Sequence, residues 1–130
     1  MRQGVNLLIL SDRGVNPETA PVPMLLAVGA VHHHLVRANL RTQCGLLCET
    51  GEARDVAQFA LLLGYGAGAV NPYLALETIS ELVEDGTFIP DGIDAEQGLQ
   101  NYLKATDKGL LKTMAKMGIS TLQSYRGAQI

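Results

Sequence analysis

Four short apolar runs, each followed by a polar loop, alternate along the chain with segments of helical period. The runs are Val5–Leu10, Gly45–Cys48, Ala67–Val70 and Ile119–Leu122. Between them, apolar residues recur every three or four positions in the segments 24–40, 53–63, 75–86 and 94–117. Strands that alternate with helices indicate a parallel sheet with helical crossovers. The expected order is therefore β-α-β-α-β-α-α-β, and the largely apolar run Val5–Leu10 predicts a fully buried first strand.

Local signals mark several helix ends. Asn71-Pro72 is typical of an N-cap followed by proline in the first helical turn, and Asp94 with Gln97 three positions later resembles a capping box. Gly64 and Gly118 suit the ends of the second and the last helix. Residues 87–93 are expected to form a loop.

The polar loops define a candidate site. Parallel strands place their carboxyl ends on one side of a sheet, where ligands bind in barrels and in open α/β folds. We call this side the strand-end rim, and we expect the following polar residues to lie on or near it: Asp12, Arg13, Glu49, Glu52, Asn71 and Arg126. Asp12 and Glu49 could carry out acid–base chemistry if they were buried side by side. Loop-end charges more often cap helices or form ion pairs.

The overall architecture expected from this rhythm is α/β, with parallel β/α units forming a partial, degenerate TIM-barrel-like domain. The chain has 130 residues, enough for one domain, and 47% of them are hydrophobic. Four β/α units make only half of an eight-unit barrel, and an open half leaves unpaired strand edges. Residues 1–130 are therefore interpreted as a single fragment of a larger domain.

Charge and cysteine content exclude several classes of protein. The net charge is −3 and the charges are scattered, so nucleic acid or a membrane surface is not expected as a partner. No apolar run approaches the roughly 20 residues that span a bilayer. Cys44 and Cys48 lie too far apart along one extended segment, about 13 Å, for a disulfide. Buried free thiols in a reducing cytoplasm are expected.

Two motifs invite a binding hypothesis. Three consecutive residues, His32 to His34, point in different directions on a helix, so they cannot hold one metal ion together. The glycine-rich segment 64–68 follows a helix and precedes a strand, the reverse of a phosphate-binding loop. We therefore expect no metal site, and we expect the glycines to serve tight packing.

Several segments resemble the large subunit of glutamate synthase, and their order and spacing are more specific than any one of them. They are Asn6–Gly14, Leu26–Leu35, Glu49–Arg54, Gly64–Ala67, Ala69–Ala75, Lys108–Lys112, Lys116–Thr121 and Ser124–Gln129. The resemblance covers essentially the whole chain. It points to the C-terminal part of the family's central domain, which precedes the FMN-binding synthase domain.

The resemblance implies an oxidoreductase that makes glutamate from 2-oxoglutarate and glutamine in the cytoplasm, with a glutaminase domain, FMN and an iron–sulfur cluster. It implies that the central domain links the glutaminase and synthase domains. The family's cysteine nucleophile, flavin site and cluster ligands have no counterpart here, so the resemblance assigns no catalytic, cofactor-binding or metal residue to this chain. The expected partners are the remaining domains of the large chain.

Two other interpretations remain open from the residues. The chain could be an independent small α/β protein that binds an anionic or phosphorylated ligand at the strand-end rim. It could also be an interaction module that self-associates through exposed strand edges. The interpretation we favour is a structural part of glutamate synthase that is inert by itself.

Overall fold

The computed structural model describes residues 4–86 and 92–129. Within them, three strands and five α-helices follow one another along the chain, with one 3₁₀ turn at Arg41–Gln43. The elements are β1 (Leu7–Ser11), α1 (Met24–Arg37), β2 (Gly45–Glu49), α2 (Val56–Gly64), β3 (Ala69–Asn71), α3 (Tyr73–Glu84), α4 (Ala95–Lys116) and α5 (Leu122–Tyr125). None of the helices in the described residues is long and apolar enough to cross a membrane.

The three strands form one parallel sheet in the order β1-β2-β3. Helices α1 and α2 supply the crossovers, as the alternation of apolar runs predicts. The described residues therefore form a mixed α/β unit around a small parallel sheet. The predicted loop at 87–93 falls mostly outside the described residues.

One face of the sheet forms the core. Leu46 and Cys48 on β2 are buried and pack with Val28 of α1 and Phe59 of α2. Tyr102 and Leu110 on α4 pack against the edge of this cluster. Because apolar burial is worth roughly 25 cal/mol per Å², this aliphatic layer is the main source of stability.

The other face of the sheet is open to solvent. Along β1, exposure alternates, and Leu7 and Ile9 are 49% and 60% exposed. The expectation that Val5–Leu10 forms a fully buried strand is therefore wrong for these residues. Helices cover one face of the sheet only, and side chains of a strand alternate between its two faces.

The fourth predicted strand is not formed. Residues 119–121 lie outside any strand, and Thr121 instead caps α5 by accepting a hydrogen bond from the Ser124 backbone N–H. A four-residue apolar run is ambiguous between strand and helix, and here the N-cap decides the outcome.

Three helix starts and ends also differ from the predictions. Helix α1 ends at Arg37, before Leu40, and Asn39 takes a positive φ of 56° just beyond it. Helix α2 begins at Val56 because Asp55 forms a reciprocal capping box with Gln58. Helix α3 begins after Pro72 without a side-chain cap, so Asn71 is not its N-cap. The N-cap at Asp94 is confirmed, since its side chain accepts from the Gln97 N–H. The reciprocal half of the predicted capping box is not formed, because the Gln97 side chain donates to Asn101 instead.

Candidate functional site

The strand-end rim brings together four of the six predicted residues. Asp12 and Arg13 follow β1, Glu49 ends β2 and Asn71 ends β3. The parallel register places Ser11 beside Glu49, and Glu49 beside Asn71. All three therefore lie in one row on the sheet face that the helices leave open.

Glu49 is the centre of this row. Its Oε2 accepts a 2.6 Å hydrogen bond from the Ser11 hydroxyl, and its Oε1 accepts from Arg13 Nε at 2.9 Å and from Asn71 Nδ2 at 3.4 Å. Hydrogen bonds from Ser11 and then Arg13 hold the pKa of Glu49 below its usual value. A carboxylate in this setting stays ionised and acts as an acceptor.

Arg13 joins the rim to α3. Its Nη1 lies 3.2 Å from Glu77 Oε1, and its guanidinium carbon lies 4.1 Å from the centre of the Tyr73 ring. The hydrogen bond from Arg13 to Glu49 raises the pKa of Arg13 further. Both acidic partners and the ring face thus engage the Arg13 guanidinium.

Sequence reasoning missed Tyr73 and Glu77. They are four positions apart at the start of α3 and so share one helix face. The sequence did contain a signal for them. The helix that follows Asn71-Pro72 must start at the carboxyl end of β3, so residues in its first turns lie near the rim.

Asp12 ties the first two strand-end loops together. Its Oδ2 accepts from the buried Thr50 hydroxyl at 2.6 Å, and its Oδ1 accepts from the Gly51 N–H at 3.0 Å. The Thr50 hydroxyl oxygen in turn accepts from the Glu52 N–H at 3.1 Å. The interaction with the Asp12 carboxylate also raises the pKa of Tyr73. Asp12 therefore satisfies backbone and hydroxyl donors that would otherwise lack partners.

Glu52 has a separate role at the edge of the rim. Its Oε2 accepts from the Met24 N–H at 2.9 Å, at the start of α1. The first N–H groups of a helix have no partner within the helix and favour a negative charge. Glu52 therefore caps α1, although the two residues lie 28 positions apart in the sequence.

Arg126 lies away from the rim. Its Nη2 donates to the Ala67 carbonyl at 3.2 Å, just before β3 begins. Arg41 donates to the Cys44 carbonyl, just before β2, and to the Gly66 carbonyl. These contacts also lie away from the rim. Both arginines thus mark the amino ends of the strands. Arg126 was expected at the rim because it follows the predicted fourth strand, which does not form.

Asp12 and Glu49 are not arranged as a buried carboxylate pair. A carboxylate that serves as a general acid needs a raised pKa, usually through burial or a like-charged neighbour. The pKa of Glu49 is lowered, and Asp12 and Glu49 bind separate sets of donors. The two carboxylates therefore do not form a proton-sharing pair.

The ionisable groups of the rim are already paired, since Arg13 is held by Glu49 and Glu77. Cys44 and Cys48 are free and buried, which confirms the sequence expectation, and burial raises the pKa of Cys48 to about 11. In residues 4–86 and 92–129, no group of three His, Cys, Asp or Glu side chains could hold a metal ion.

A cavity of about 430 Å³ lies beside β1, between its outer edge, the following loop and α1. Among the described residues that line it, Asp12 is the only charged one. The cavity therefore offers no side-chain cation to an anionic ligand.

These features define a parallel α/β domain whose strand-end carboxylates hold its loops together. The family model for the glutamate synthase central domain matches residues 1–130, the whole chain. The chain belongs to this family.

Named relatives agree with the family assignment. The chain is 52% identical over 128 residues to the glutamate synthase [NADPH] large chain of Bacillus subtilis, covering 98% of this chain and 8% of that protein. It is 50% identical to glutamate synthase [NADH] of Schizosaccharomyces pombe, covering 100% of this chain and 6% of that protein. It is 43% identical to ferredoxin-dependent glutamate synthase 2 of Synechocystis, covering 100% of this chain and 9% of that protein. The chain thus spans less than a tenth of the length of these relatives.

A solved structure shows the same fold. A double-mutant flavocytochrome b2 with pyruvate bound matches with a TM-score of 0.67 and 16% identity, over 96% of this chain and 29% of that chain. At this identity the similarity concerns the fold alone.

Proposed function

We propose that this chain is a structural part of a glutamate synthase large chain, in which it links the glutaminase and FMN synthase domains. The whole enzyme makes glutamate from 2-oxoglutarate and glutamine. One observation carries the proposal: the polar groups of the strand-end rim bind one another, whereas the apolar face of the sheet is left uncovered. In a catalytic domain, we would expect some polar groups of the rim to be free to bind a substrate, and the apolar surface to be buried.

The open sheet face supports an assembly role. Leu7 and Ile9 are exposed, and a cavity of about 280 Å³ lies over Ile9, Leu47 and Ala69. Exposed apolar surface of this kind marks an interaction site. We propose that other segments of the large chain cover it and complete a TIM-barrel-like sheet, with the rim row of Ser11, Glu49 and Asn71 facing the same interior.

The relatives support a role that does not depend on the electron donor. Their names specify NADPH, NADH or ferredoxin, yet identities fall between 43% and 52% over this segment. A segment that recognised the donor would be expected to differ more between these classes.

Buried, reduced thiols at Cys44 and Cys48 also fit a cytoplasmic enzyme.

The charge balance of the rim argues against the alternative of an anionic ligand. Glu49 and Glu77 already bind Arg13, and the nearby carboxylates of Asp12 and Glu52 add two more negative charges to this end of the sheet. A ligand that binds the folded state would raise the melting temperature by mass action. We expect no such rise with phosphate or FMN.

Light scattering tests the other alternative, self-association through the edges of β1 and β3. A molecular mass that does not depend on concentration would argue against self-association.

The direct test of inertness uses the purified 130-residue chain with FMN and, separately, with glutamine. We expect no flavin absorbance to co-purify and no ammonia to be released. A yellow protein with stoichiometric FMN, or glutaminase turnover that survives a second purification, would overturn the proposed inertness.

A further inference from the structure

A compact polar cluster lies at the amino ends of β2 and β3, opposite the strand-end rim. We call it the amino-end cluster, and it consists of His32, Arg41, Gly66 and Arg126. Arg41 uses three donors on three parts of the chain: Nε donates to His32 Nδ1 at 2.9 Å, Nη1 to the Cys44 carbonyl at 3.0 Å and Nη2 to the Gly66 carbonyl at 2.7 Å. One guanidinium thereby joins α1, the start of β2 and the connection between α2 and β3.

Gly66 brings its backbone directly against the imidazole. Its φ is +123°, and a Cβ built there would lie 2.4 Å from His32 Nδ1. Only glycine fits this position, because the conformation and the contact both exclude a side chain. His32 Nδ1 therefore has room for the Arg41 hydrogen bond and little else.

This hydrogen bond fixes the protonation state of His32. An imidazole nitrogen accepts only when it carries no proton, so the ring is neutral with its hydrogen on Nε2. Burial is the main reason why the pKa of His32 is lowered. In the described part of the chain, the charged or titratable groups that lower it further are Arg41 from the 3₁₀ turn, His33 from α1 itself and Arg126 from the residue after α5.

We infer that His32, Arg41 and Gly66 form an acid-labile latch that stays closed only while the His32 imidazole is neutral. Protonation at Nδ1 replaces an acceptor by a donor, so two N–H groups and two positive charges then face each other. Arg41 must withdraw, and its bonds to the Gly66 and Cys44 carbonyls are lost with it. The connection between α2 and β3 then loosens, while the strand-end rim at the far end of the sheet stays intact.

Nitrogen-15 NMR of the 130-residue chain tests the latch without any substitution. We expect His32 to be the Nε2–H tautomer at pH 7.5 and to remain mostly neutral at about pH 6.5, where an unperturbed histidine is half-protonated. Below that pH, the amide signals of Gly66 and Gly68 should shift together with His32, while that of Gly51 at the rim should not. An Nδ1–H tautomer, or half-protonation of His32 at about pH 6.5, would overturn the inference.

Two variants separate the latch from general acid sensitivity. His32→Asn keeps an acceptor near the position of Nδ1 but cannot be protonated, and His34→Asn alters an exposed neighbour on the same helix. Between about pH 6.5 and 5, the folding equilibrium constant of the unaltered chain should fall by up to about tenfold per pH unit, the limit for one proton. We expect His34→Asn to retain this fall and His32→Asn to lose it. If His32→Asn keeps the fall, the latch does not exist; if that variant fails to fold, the NMR titration of the unaltered chain decides alone.

Discussion

Ser11 and Glu49 face each other across β1 and β2, and the Ser11 hydroxyl donates a 2.6 Å hydrogen bond to Glu49 Oε2. The contact lies between side chains 38 positions apart in sequence, so it forms only when the two strands pair in the observed register. It therefore reports directly on the integrity of the strand-end rim.

Replacing Glu49 by Gln should destabilise the chain at neutral pH and change its acid sensitivity. Because the pKa of Glu49 is lowered in the folded state, its contribution is present above the pKa of an unfolded glutamate, about 4.3, and is lost as pH falls through the folded pKa. The difference in melting temperature between the two proteins should thus shrink as the pH drops below about 4. Glu81→Gln on the exposed side of α3 is the control and should leave the profile unchanged. A difference that is constant at all pH values would contradict this account of Glu49.

The two faces of the sheet should respond differently to truncation. Leu46→Ala empties a fully buried site and should cost about 2–5 kcal/mol, measured by urea unfolding. Ile9→Ala on the open face should cost less than about 1 kcal/mol in the isolated chain. Equal losses would mean that the open face is covered in solution, for example by a second copy of the chain.

Gly109 allows α4 to approach α2 closely. A Cβ at this position would lie 2.4 Å from Val56 Cγ2, so Gly109→Ala should destabilise by about 1–3 kcal/mol although alanine favours helices. Val56→Ala makes room for the added methyl group, and the double variant should lose less than the sum of the single ones. Stabilisation by Gly109→Ala alone would show that the helices are further apart.

The cysteines should be unreactive while the chain is folded. Cys48 is 1% exposed and burial raises its pKa to about 11, so little thiolate forms at pH 8. An aromatic disulfide reagent should label neither Cys44 nor Cys48 in the native chain and both in urea. Rapid native labelling of Cys48 would contradict this prediction and would show that its thiol is accessible.

Particular residues show how far the sequence predicts this structure. The convergence of Asp12, Glu49 and Asn71 follows from local patterns, because parallel strands must end on one side. The hydrogen bonds among them, and the part played by Tyr73 and Glu77, depend on how α3 packs, which no local pattern specifies. Arg126 was misplaced because Ile119–Leu122 fits a strand and a helix start equally well. The open face of β1 could not be foreseen either, since an apolar run does not say how many of its sides are covered.

We propose that these residues support glutamate synthase without taking part in its chemistry. The most direct test is a chimera in which this chain replaces the matching segment of the Bacillus subtilis large chain. Glutamate formation per bound FMN is measured for the chimera and for variants of it. Glu49→Gln and Asp12→Asn should leave the rate per bound FMN within about threefold, because structural contacts change the amount of folded enzyme and not its transition state. A loss of about a hundredfold or more, at unchanged FMN content, is the size expected for a general acid or base and would contradict the claim.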